Sequence, residues 1–146
     1  MSRITLFRTL LAGSIVTASA AFATEPVEPM KLRIVIGDTT LMATLADNPT
    51  SRDFVSLLPM SVELKDYAQT EKVADLPRKL STADAPAGSD PDVGDIAYYA
   101  PWGNLALFHK DFSYSRGLVK LGRIDSGVET LRRPGPVAAR IELASE

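Results

Sequence analysis

Lys31-Leu32-Arg33-Ile34-Val35-Ile36-Gly37-Asp38-Thr39-Thr40-Leu41-Met42-Ala43-Thr44-Leu45 alternates twice about a central pair. Leu32, Ile34 and Ile36 share one face of the first half. Leu41, Ala43 and Leu45 share one face of the second, opposite Thr40, Met42 and Thr44. A period of two marks extended chain, because successive side chains of a strand point to opposite faces. Gly37-Asp38 is a two-residue connection of the kind that joins hairpin strands. The stretch therefore predicts an antiparallel hairpin with one buried face.

The same alternation recurs downstream. Met60, Val62 and Leu64 alternate with Ser61, Glu63 and Lys65. Asp95 to Tyr99, Leu105 to Phe108 and Leu118 to Arg123 are further apolar strands. Val137, Ala139, Ile141 and Leu143 alternate with Ala138, Arg140 and Glu142 as the last. One helix is expected over residues 49–58. Asn48 can cap it, Pro49 suits its first position, and Phe54, Leu57 and Leu58 give an apolar stripe before Pro59. Ser126-x-x-Glu129 resembles a capping box, predicting a helical turn over residues 126–131. Residues 66–94 read as mostly irregular. The segment 81–94, with two prolines, two glycines and three aspartates, reads as a long functional or mobile loop rather than an element.

About seven short strands and one helix, without strand–helix alternation, exclude a parallel α/β sheet. The expected class is mainly β, and an antiparallel barrel follows because closure removes exposed edges.

Upstream of the hairpin, residues 1–23 read as a cleavable secretory signal peptide. Arg3 and Arg8 supply a positive start, and the next 15 residues carry no charge around Leu10, Leu11, Ile15 and Val16. That run falls short of the roughly 20 residues of a membrane span. Ala21-Phe22-Ala23 supplies the small-x-small cleavage pattern. The expected protein is exported, periplasmic or secreted after cleavage at about Ala23, with no membrane span once mature. Residues 24–30, with two prolines and two glutamates, read as a flexible lead-in, and residues 31–146 as the barrel domain.

Cleavage leaves 123 of the 146 residues, enough to close one core. It also removes two arginines, leaving 14 basic against 18 acidic residues, a net charge of −4 rather than −2. With no basic run longer than two, no nucleic acid partner is expected. The absence of cysteine excludes a lipid-bearing cysteine, disulfides and thiolate chemistry. No cofactor is expected, since export removes the chain from cytosolic nucleotides. No metal is expected either: Asp90-x-Asp92 starts a calcium-like loop, but the twelfth position is Pro101 where a glutamate is required. Aspartates beside proline and glycine serve turns instead.

The run Gly94-Asp95-Ile96-Ala97-Tyr98-Tyr99-Ala100-Pro101-Trp102-Gly103-Asn104 resembles the core motif of the small bacterial and archaeal cyclophilin-like proteins. So do Tyr114-Ser115, Leu121-Gly122-Arg123-Ile124 and Ile36-Gly37-Asp38. The resemblance covers about residues 31–143 and implies a closed barrel of about eight strands. It brings no activity with it. Cyclophilins that isomerise proline bonds share a Phe-His-Arg run and, soon after, a Gln-Gly-Gly run. Here the first strand reads Lys31-Leu32-Arg33-Ile34-Val35-Ile36, Phe54 precedes Val55-Ser56, and Gln69 precedes Thr70. A fold can persist while its site is replaced.

Candidate site residues follow from the aromatic distribution. Six of the eight aromatics beyond the signal peptide lie between residues 98 and 114. Tyr98 and Tyr99 must face opposite ways, one into the core and one outward. Trp102 sits in a Pro–Gly turn, where it either plugs a barrel end or presents its ring to a ligand. The expected function is a binding module for a small molecule or peptide segment, using Arg78, Tyr98, Tyr99, Trp102, Phe112 and Tyr114. Arg78 is included because a guanidinium can clamp a carboxylate. The rival is an enzyme, a divergent prolyl isomerase or another using His109, the sole histidine and a weak catalytic candidate.

Overall fold

The computed structural model describes residues 18–25 and 27–145. Most of the predicted signal peptide, residues 1–17, lies outside them. Residues 18–25 and 27–29 have no regular structure and are exposed.

The described residues form ten strands, one α-helix and one 3-10 turn. β1 (Met30–Ile36) and β2 (Thr39–Leu45) are the hairpin, with Ile36 paired to Thr39 and Gly37 at φ 56°. Helix α1 (Pro49–Val55) follows, then β3 (Met60–Tyr67), β4 (Glu71–Asp75), β5 (Gly88–Ser89), β6 (Asp95–Tyr99) and β7 (Asn104–Phe108). The last strands are β8 (Ser115–Arg116), β9 (Leu118–Ser126) and, after the 3-10 turn Val128–Arg132, β10 (Val137–Leu143).

Eight strands close into an antiparallel barrel in the order β1-β10-β3-β4-β7-β6-β9-β2; β5 and β8 pair as a separate ribbon. A barrel of this size has an interior that side chains just fill. Leu32, Ile34, Leu41, Ala43, Leu64, Leu105, Leu107 and Ile141 fill it, as the alternation predicts. Leu143 departs from that pattern, lying exposed at the end of β10.

Helix α1 closes one end. Asn48 Oδ1 accepts from Ser51 N at 2.8 Å, Ser51 Oγ donates to Leu121 O, and Phe54 is fully buried. The helix is three residues shorter than predicted. Leu57 N and Leu58 N bond to carbonyls three residues back, Phe54 O and Val55 O, so the last turn tightens out of α geometry. At the other end Leu131 enters the core from the 3-10 turn. The predicted capping box does not form: Ser126 ends β9, and Gly127, at φ 89°, is the cap without a side-chain bond.

Two expectations about residues 66–94 are corrected. β4 lies in the segment read as irregular, and β5 lies in the loop read as lacking any element. β4 escapes recognition because its two inward residues are Lys72, which is charged, and Ala74, which is small. The Lys72 ammonium donates to Arg133 O at 2.8 Å and Gly135 O at 2.6 Å, and pairs with Asp66 Oδ1 at 2.6 Å. All three donors are used, which is what a buried ammonium requires. The β3–β4 turn is also unmarked: Ala68 at φ 51° and Gln69 at φ 57° occupy positions where glycine or asparagine is the rule.

β9 serves two neighbours, pairing with β6 and with β2, with a register shift in each ladder. Gly122 sits at the crossing. A β-carbon there would lie 2.2 Å from Thr44 O and 2.7 Å from Leu45 Cα.

Candidate functional site

β6 and β7 are buried on both faces. Their inner residues, Ile96, Tyr98, Leu105 and Leu107, join the barrel core. Their outer residues, Ala97, Ala106 and Phe108, form a second cluster with Leu118, flanked by Val73 and Tyr99. Two segments are stitched together beside this outer wall. Gly117 N donates to Ala87 O, Ser89 Oγ to Leu118 O, Phe112 N to Pro91 O and Val93 N to Asp111 Oδ1. Gly88 makes the approach possible, since a β-carbon there would lie 2.4 Å from Ser115 O.

The Pro101-Trp102-Gly103 turn joins β6 to β7. Trp102 N and Gly103 N both donate to Tyr99 O, and Ala100 N donates to Gly117 O. Gly103, at φ 70°, takes the left-handed conformation that returns the chain. Trp102 does not plug the barrel. It is 58% exposed and stands edge-to-face against Tyr99 at 5.3 Å and Tyr67 at 5.4 Å between ring centroids. Tyr67 pairs with Glu71, and Glu71 with Phe108; Asn104 lies four residues from Phe108 along β7, about 13 Å. The two rings thus meet across the outer wall from opposite ends of β4 and β7.

Beneath them is a pocket of about 220 Å³. Phe108 and Leu118 are its buried floor; Tyr67, Ala68, Tyr99, Trp102, Phe112 and Ser115 surround it. Its two strongest acceptors are Glu71 and Asn104. Burial pushes the Glu71 carboxyl above its ordinary value, and the bond from Thr70 Oγ1 at 3.0 Å pulls it partly back. Asn104 is 5% exposed, and its Oδ1 is buried without a hydrogen-bond partner. That orphaned acceptor is costly unless something bonds to it.

The predicted site residues are only partly brought together. Tyr99, Trp102 and Phe112 line the pocket. Tyr98 does not: it is 1% exposed within the barrel core, its hydroxyl accepting from Leu80 N at 3.1 Å. Arg78 lies outside the pocket lining and forms a two-pronged pair with Asp53 of α1 at 2.8 and 3.0 Å. Tyr114 is exposed beside the β5–β8 ribbon, its hydroxyl near Gly88, and is absent from the pocket lining. His109 is also elsewhere. It is 6% exposed, its Nδ1 has no partner, and burial followed by the charges of Lys110, Lys72 and Arg132 lowers its pKa.

At the edge of the 81–94 loop, Asp95 serves structure. Asp95, almost fully buried, accepts from Asp92 N and pairs with Lys120 at 2.9 Å. Among the described residues, no group of three or more His, Cys, Asp or Glu side chains gathers as a metal site requires. Among them also, no helix is long and apolar enough to cross a membrane.

Sequence reasoning missed Tyr67, Glu71, Asn104, Phe108 and Leu118. One signal was present for Tyr67: extending the β3 alternation two residues beyond Lys65 puts it on the outer face.

A family model described as the cyclophilin-like family matches residues 34–142. Among solved structures, the hypothetical protein AF2241 from Archaeoglobus fulgidus is similar, with a TM-score of 0.55 at 17% identity. The match covers 80% of this chain and 95% of that one, and at such identity it is a likeness of fold. No curated protein matches the chain.

Proposed function

Since the chain belongs to the cyclophilin-like family, matched over residues 34–142, we propose that its barrel is a binding module taking a small molecule or peptide segment on the outer wall beneath Trp102. The observation that carries this reading is the pairing of exposed aromatics with an unsatisfied acceptor. Trp102 is left largely in solvent above an apolar floor, and Asn104 Oδ1 is buried there without a partner. A packing role alone explains neither, whereas an apolar ligand bearing a donor uses both.

The module acts after export. Arg3, Arg8 and the uncharged run to Ala23 support removal of residues 1–23. N-terminal sequencing of the protein recovered from the cell envelope or medium tests this; a start at residue 1 there rules out cleavage.

Catalysis of proline isomerisation is not part of the reading, because neither motif run is present and His109 lies away from the pocket. Trp102, the sole tryptophan, gives the test. Its emission is titrated with X-Pro tetrapeptides and with a set of aryl and alkyl fragments. Saturable shifts that vanish in Phe108→Ala support the module. A silent Trp102 across both sets, or isomerase activity lost in His109→Ala, defeats it.

A further inference from the structure

The pocket offers acceptors at both ends and no positive charge between them. None of its ten lining residues is Lys, Arg or His. Lys72, next to Glu71 in sequence, turns to the opposite face and spends all three donors on Asp66, Arg133 O and Gly135 O. Among the described residues, the one side chain bonded to Glu71 is Thr70, through its hydroxyl. A half-buried carboxylate among aromatic rings is thus left without a counter-charge. Four residues away along β7, Asn104 Oδ1 is left without a donor.

Each of these acceptors specifies its complement. A carboxylate in partly dehydrated surroundings binds an ammonium more strongly than a neutral donor. Rings of Trp and Tyr attract the same charge through their faces. Asn104 Oδ1 accepts any N–H or O–H. The two acceptors are separated by about 13 Å of strand, shortened or lengthened by how their side chains lean, so one small ion cannot serve both. Between them the floor of Phe108 and Leu118 is apolar.

We infer that the pocket takes an elongated organic cation: a primary ammonium on an apolar chain, set against Glu71, with a second donor at its far end bonded to Asn104 Oδ1. A lysine side chain with its backbone amide has this form, and so does a free alkyl diamine. The inference rests on the binding reading of the same pocket and sharpens its ligand class. Binding is non-covalent.

The test titrates the purified protein with three probes, read by Trp102 emission and by calorimetry. N-acetyl-lysine amide and 1,6-diaminohexane carry the ammonium on peptide and non-peptide bodies; N-acetyl-norleucine amide has the lysine shape without the charge. The lysine amide is expected to bind at least tenfold tighter than the norleucine amide, and Glu71→Gln to erase that preference. Tighter binding of the diamine than of the lysine amide assigns the site to free amines; the reverse assigns it to peptides. Equal affinity of the lysine and norleucine amides overturns the cation while leaving the binding module intact. Failure of all three probes to bind up to millimolar concentration overturns the inference, and the fragment titration then judges the module separately. Retention of the full charge preference in a folded Glu71→Gln protein also overturns it.

Discussion

Lys72 Nζ stands 2.6 Å from Asp66 Oδ1 with its own side chain 1% exposed and that of Asp66 41% exposed. The pair spans the boundary between barrel interior and solvent. The lysine points inward from β4, as Ala74 does, and its other two donors hold Arg133 O and Gly135 O of the loop entering β10. One side chain thereby ties β3, β4 and the β10 approach together at one end of the barrel. The aspartate keeps one carboxylate oxygen on the ammonium and accepts Gly135 N with the other. Lys72, followed by the Gly135 amide, lowers its pKa.

Replacing Lys72 with methionine fills the same space and supplies no donor. Arg133 O and Gly135 O lose a charged partner, and Lys72→Met is expected to cost about 2–4 kcal/mol in urea unfolding. The Asp66 pKa, followed by carboxyl NMR, should rise toward its ordinary value. A change below about 0.5 kcal/mol shows that water replaces the ammonium without loss.

Acid should weaken the contact between α1 and the segment after β4. Asp53 is held at about 2 rather than 3.8, first by the Arg78 guanidinium and then by Ser81 N–H. A carboxyl depressed on folding contributes stability above its unfolded pKa and loses it as pH falls through the folded one. The wild-type protein is therefore expected to lose stability between about pH 4 and pH 2. Asp53→Asn starts less stable at pH 7 and falls less over that window. Parallel stability curves for the two proteins would show that Asp53 titrates as it does in the unfolded chain.

The β3–β4 turn leaves stability unused. Ala68 and Gln69 both have positive φ, which costs side chains that glycine and asparagine tolerate better. Ala68→Asn with Gln69→Gly is expected to raise the melting temperature, by about 1 kcal/mol of added stability. Because Ala68 lines the pocket, any accompanying change in Trp102 emission reports whether the turn also shapes the site. A fall in melting temperature argues that the two native side chains have contacts worth more than the strain.

Gly122 is where β9 passes from one neighbour to the other. A methyl group there meets the Thr44 carbonyl oxygen and Leu45 Cα, both backbone atoms that cannot rotate away. Gly122→Ala is expected to destabilise the barrel by about 2–3 kcal/mol, with amide exchange accelerated first in β2 and β9. Wild-type stability would mean that the two strands separate there at little cost.

The legible parts of this protein are those whose signal is local. The β1–β2 hairpin announces itself because three consecutive inward positions on each strand are apolar and glycine marks the turn. Asn48-Pro49 announces α1 because capping involves residues within one turn. β4 stays silent since Lys72 stands where an apolar residue would reveal the period, and Ala68-Gln69 lacks turn chemistry. Ser126 fails as a cap because β9 holds it in extended conformation, paired with Met42.

The candidate site divides the same way. Tyr99, Trp102 and Phe112 stand out by crowding within one stretch of chain, and that crowding finds three of the pocket's ten lining residues. Of the adjacent tyrosines, alternation requires that one be buried; only the packed barrel decides that it is Tyr98. Tyr67 and Glu71 enter the site more than 30 residues ahead of Trp102, carried there because β4 pairs with β7.

The sequence by itself determined the extended periodicity, the helix start and the family likeness, since each depends on residues close along the chain. Closure of the barrel decided which faces became interior, which lysine was buried and which acceptor was left unpartnered under Trp102. Strand pairing joins distant segments, and no segment carries its partner's register within its own period.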